Sequence, residues 1–105
     1  MPIDLILLFG IKALVGMIIV GAVIALLTYP MIVNWFRDRT AIKMQDKKNI
    51  AFTLQEHLSN GNVKTVQGIF NTRSNSLLDS KGYCSKEIDP ELASIHRGEE
   101  LVLYT

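Results

Sequence analysis

The chain has 105 residues, with 11 Lys plus Arg against 10 Asp plus Glu, a formal net charge of +1 and 49% apolar residues. That length suits one small domain and excludes two of ordinary size, and the balanced charge gives no footing for nucleic acid as the main partner. The charge is unevenly spread: residues 1–36 hold only Asp4 and Lys12, and residues 37–105 hold all the rest.

Residues 2–11 are almost wholly apolar, and Ala13–Phe36 is an uncharged run of 24 residues. As a helix this run would reach ~36 Å at ~1.5 Å per residue, enough to cross ~30 Å of hydrocarbon. The sequence therefore predicts an N-terminal segment and transmembrane helix over residues 1–36, with the span at about 13–36. A cleaved leader is a poorer reading. The first eleven residues carry an acid and no base, and no small-residue cleavage site follows the run. Lys12 would snorkel toward head groups, and Pro30 would divide the helix or tilt would absorb its excess. Gly16, Gly21 and Ala25 are small residues that would let a second membrane helix pack closely. Tyr29 and Trp35 suit an interfacial belt. Arg37, Arg39, Lys43, Lys47 and Lys48 crowd the C-terminal end of the run, so the positive-inside rule places the N-terminus outside and the C-terminus in the cytoplasm.

Residues 37–60 read as a basic juxtamembrane helix. From Thr40 to about Ser59 there is no Gly or Pro, and Ile50, Leu54 and Leu58 recur every four residues along one stripe. Phe52 breaks that stripe, and Gly61 is the stop. His57 lies beside it as a solvated helix residue.

Residues 61–105 read as a small cytoplasmic β-rich unit of ββαβ order. Val63–Phe70 has strand composition, with Val66, Gly68 and Phe70 on one face and Thr65, Gln67 and Ile69 on the other. Asn71–Asn75 is a turn with Arg73 at its tip, and Ser76–Lys81 is the returning strand. Asp89 as N-cap, Pro90 at the first helical position and Gly98 beyond the end bracket a two-turn helix. Leu101–Tyr104 is a terminal strand, expected beside Val63–Phe70. In it Leu101 and Leu103 would share one face, as core or edge, and meet Leu92, Ile95 and the Ile50 and Leu54 stripe.

Chemistry is sparse. Cys84 is single, so no internal disulfide forms, and neither His57 nor His96 stands with it in a nucleophile or metal-ligand spacing. The sequence points to no catalytic residue, no cofactor, no metal and no small-molecule substrate. Its fold class reads as an α+β membrane protein. Its function reads as a non-enzymatic single-pass membrane protein of the cell membrane, the bacterial inner membrane in the first instance. Its small domain would bind or regulate another protein, with the lipid bilayer and a membrane protein or a second copy as partners. The alternative is a small immunity or exclusion effector, of phage or plasmid type, that inhibits a neighbouring membrane protein.

Overall fold

The computed structural model describes residues 2–16, 18 and 20–104. Helix α1 (Pro2–Val15) is followed by strand β1 (Val23–Leu27), helix α2 (Tyr29–Arg37) and the short helix α3 (Thr40–Met44). Strands β2 (Asn49–His57), β3 (Val63–Asn71) and β4 (Ser76–Ile88) form a meander. Helix α4 (Pro90–His96) and strand β5 (Leu101–Tyr104) complete the chain. The strands make one five-stranded sheet in the order β1-β4-β3-β2-β5. β1 runs parallel to β4 and every other pair is antiparallel.

The expected transmembrane helix is not what forms. Among the described residues no helix is long and apolar enough to cross a membrane. α1 has 14 residues and stops at Val15, and the apolar run beyond it becomes β1 and most of α2. The single-pass topology and the membrane localisation fall with the helix. The radius of gyration, 13.2 Å, matches the ~13 Å of a folded chain of about this length rather than a rod with a tethered unit.

The reason is visible in the residues. Val20, Val23 and Ile24 are β-branched and stiff in a helix, and Gly16 and Gly21 each cost it about 1 kcal/mol. The β-branched Val23 and Ile24 suit the extended form instead, and β1 takes it in parallel pairing with β4. Pro30 then starts a new helix rather than kinking an old one, because the first turn needs no donor from it.

The predicted juxtamembrane helix is also corrected. Only Thr40–Met44 is helical, and the rest is β2. A spacing of four is shared by one helical stripe and one strand face. Phe52, which interrupts the helical reading, completes the strand reading, since Phe52 and Leu54 are buried and Ile50 packs against the same cluster.

The C-terminal strands keep the expected order, but they belong to the larger mixed sheet rather than to a separate ββαβ unit. The Asp89, Pro90 and Gly98 signals delimit α4 as read, with Arg97 and Gly98 both left-handed at its end. β5, however, pairs with β2 and not with β3. The terminal strand therefore lies at the sheet edge.

Two cores sandwich the sheet. On one face Ile11 and Val15 of α1 pack on Phe52, Leu54, Val66 and Phe70. On the other, Leu27, Ile32, Tyr83 and Leu92 bring α2 and α4 onto the strands. Burying side chains of this size contributes about 1.5–3 kcal/mol each. Leu92 therefore lies on the face opposite Phe52 and Leu54, so no single strand face can meet all three.

Candidate functional site

Two features present chemistry or free surface. The first is a hollow of about 370 Å³ on the α2 side of the sheet. Its wall is one helical stripe: Tyr29, Ile32, Val33, Phe36 and Arg37 recur at spacings of three and four, and Thr40 and Lys43 continue it into α3. Its floor follows from strand register. Ile69, Ala51 and Tyr104 are cross-strand partners in one row over β3, β2 and β5. Ala51 is the small middle member, so the hollow sits over its missing side chain. The Phe36 and Tyr104 rings meet at 5.4 Å beside it.

Tyr104 connects this hollow to a buried polar chain. Its hydroxyl lies 2.7 Å from Thr53 Oγ1, which lies 2.7 Å from His96 Nε2. His96 Nδ1 lies 2.9 Å from the Glu99 carbonyl oxygen. A carbonyl only accepts, so Nδ1 carries the proton and Nε2 accepts from Thr53. Thr53 then accepts from Tyr104. Burial pushes the His96 imidazole below its ordinary value and the Tyr104 phenol above its own. A hydroxyl donating to an imidazole resembles an activated nucleophile, but Thr53 is fully buried. The chain ties α4 and β5 to β2.

A second buried pin ties α2 to the sheet: Gln67 Nε2 donates to the Ile32 carbonyl, and the Tyr83 hydroxyl donates to Gln67 Oε1. Burial raises the Tyr83 phenol.

The other feature is the β1 edge. Among the described residues β1 is paired only to β4, and Val23 and Leu26 are 48% and 44% exposed. No charged residue lies between Ala13 and Phe36.

The sequence-derived site residues scatter. Gly16 ends α1, its N–H donating to the Lys12 carbonyl, Gly21 is exposed in the connection to β1, and Ala25 is exposed on β1. Trp35, read as an interfacial anchor, is buried with the Arg39 guanidinium 4.0 Å above its ring. Arg39 also donates from Nε to Asp79 Oδ2 at 2.7 Å, so it staples α2 to β4. Lys12 pairs with Glu100 at 2.8 Å, which raises its ammonium pKa, rather than reaching for head groups. Arg37 and Lys43 line the hollow, while Lys47 and Lys48 are exposed. Arg73 reaches Asp46, whose carboxylate is held low first by the Lys48 backbone N–H and then by Asn71. Leu101 is half-buried against the α1-side core with Leu54 as its cross-strand partner, and Leu103 is 41% exposed. Cys84 is buried on the α1 side of β4, His96 is buried on the opposite side, and His57 is exposed at the end of β2. Among the described residues no group of three or more His, Cys, Asp or Glu is placed to hold a metal.

The row Ile69, Ala51, Tyr104 is not legible in a sequence whose spacing around Ala51 reads as helical. The helical spacing from Tyr29 to Lys43 is legible in the sequence, but the apolar run that precedes it reads as one longer helix. No protein-family model matches the chain, and neither a curated protein nor a solved structure matches it.

Proposed function

We propose that this chain is a binding module that takes an extended segment of a partner protein onto the outer edge of β1. The carrying observation is that an apolar, uncharged strand ends the sheet with one side unpaired among the described residues. Natural edge strands are usually kept short, charged or covered, because free N–H and C=O groups template another strand. β5 at the opposite edge follows that rule, with four residues preceded by Glu99 and Glu100. β1 does not. An added strand would gain main-chain hydrogen bonds and cover Val23 and Leu26.

A photo-crosslinker at Ala25 of the full chain, expressed in the source cells, tests this. The expected result is one defined adduct that Leu26→Lys abolishes and Met44→Lys leaves intact, since Met44 is 77% exposed and lies on α3, away from this edge. An adduct with a second copy would identify the partner as this chain itself. No adduct, or equal adducts in both variants, would overturn the reading.

A further inference from the structure

We propose that the hollow under α2 binds a small amphiphilic carboxylate, its apolar body over Ala51 and its head group between Arg37 and Lys43. The inference is independent of strand addition at β1, which lies at the far edge of the sheet.

The volume, about 370 Å³, falls in the range of small-molecule sites. Ligand sites of this kind combine an apolar lining with a few convergent polar groups that orient the guest. Here Ile32, Val33, Phe36, Ala51 and Ile69 supply the apolar part. The charged groups lining the hollow, Arg37 and Lys43, are both cationic. Among the described residues neither makes an ion pair, whereas Lys12, Arg39 and Arg73 each do. The Thr40 hydroxyl is already spent on the Arg37 carbonyl at 2.9 Å and the Tyr104 hydroxyl on Thr53, so the two cations are the charged donors for a head group, with the Tyr29 hydroxyl as a neutral one. An acceptor-only anion matches them, and a carboxylate matches the guanidinium in a two-bond geometry. A cationic or purely apolar guest would leave both bases unanswered.

The floor is made by sequence. Ala51 sits between Ile69 and Tyr104 in the cross-strand row, and a larger residue there would fill the space. That gives a second handle besides charge.

The experiment titrates the full chain with octanoate, octanol and octylammonium, following backbone amide shifts by NMR and affinity by calorimetry. Octanoate should bind with shifts at Ile32, Phe36, Ala51 and Tyr104. Octanol should bind at least about tenfold more weakly, the loss expected for one charge-assisted contact. Arg37→Ala with Lys43→Ala should weaken octanoate similarly while leaving octanol unchanged, and Arg37→Glu with Lys43→Glu should reverse the preference toward octylammonium. Both bases are surface-reaching, so unchanged amide spectra elsewhere confirm folding in these variants. Ala51→Leu should block all three guests. The proposal is overturned if octanoate does not bind, if its shifts fall outside this hollow, or if charge reversal leaves the preference unaltered.

Discussion

Asp89 caps two helices at once. Its Oδ1 accepts from the Leu92 N–H of its own helix α4 at 2.7 Å, and its Oδ2 accepts from the Tyr29 N–H of α2 at 2.8 Å. Thr28, the residue in the N-cap position of α2, makes no side-chain cap bond. The cap is supplied from 60 residues away. The Asp89 N–H also donates to the Leu27 carbonyl at 3.0 Å, so one residue joins the ends of β1, α2 and α4.

An ordinary N-cap is worth ~0.5–2 kcal/mol. Asp89→Ala should therefore cost about 2–3 kcal/mol in chemical denaturation, because two orphan donors appear together. Asp89→Asn keeps a single carbonyl oxygen and should fall between. Thr28→Ala should cost less than a normal cap loss. Equal effects of Thr28→Ala and Asp89→Ala would refute the shared cap.

Gly68 is set by crowding rather than by φ. A Cβ there would lie 2.8 Å from the Asp79 carbonyl oxygen and 3.0 Å from the Phe52 ring, which belongs to its cross-strand partner on β2. A backbone oxygen cannot yield as a side-chain tip can. Gly68→Ala should destabilise by ~1–3 kcal/mol despite alanine's better backbone entropy. In a Phe52→Leu background the penalty should shrink without vanishing, since Asp79 remains. Thermal unfolding of the four chains of this cycle gives the coupling.

These two sites show what a sequence can and cannot carry. The strand faces of Val63–Phe70 and the limits of α4 were legible because their signals are local: alternation, a capping Asp, a Pro and a Gly. The second partner of Asp89 was not, because nothing in Thr28 or Tyr29 announces a cap from a distant residue. β1 was hidden by the identity of an apolar strand and an apolar helix when no alternation distinguishes them. β2 was hidden by the ambiguity of a four-residue spacing. The hollow depends on both elements, since α2 supplies its wall and β2 the middle of its floor.

Thr65 and Thr53 lie on the same sheet face and are both fully buried, yet their hydroxyls differ. Thr53 Oγ1 is engaged by His96 and Tyr104. Thr65 Oγ1 has no partner among the described residues, and the opposite Gln55 Nε2 and the nearby Ser85 Oγ also lack one. Leaving a buried polar group unpaired costs ~1–3 kcal/mol. Thr65→Val should thus be neutral or stabilising by up to about 1 kcal/mol, while Thr53→Val should cost ~1–3 kcal/mol. Denaturant midpoints at constant slope check the contrast, and comparable losses in the two variants would show that Thr65 has a partner.

His96 should give the protein an acid-sensitive step. Burial, the largest influence, lowers its folded pKa, and the Glu99 carbonyl only partly offsets this. In the unfolded chain the imidazole titrates near its ordinary ~6.5. Between those two values the unfolded state binds the extra proton and the folded state does not, so stability falls as pH drops through that window. Above ~6.5 both states are neutral and the contribution is constant, and below the folded pKa both are charged and the loss levels off. The limit is ~1.4 kcal/mol per pH unit within the window. Geometry gives the same sign. A protonated Nε2 would have to donate to Thr53 Oγ1, so the Thr53 proton would lose its acceptor and would either stay unpaired or turn to Tyr104, reversing that bond as well. Unfolding free energies at pH 7.5 and pH 5 for the native chain and His96→Gln isolate the effect, since carboxylates and the exposed His57 are common to both. The native chain should lose about 1 kcal/mol more than His96→Gln across that interval. Equal losses would mean that the imidazole is not held neutral by its burial.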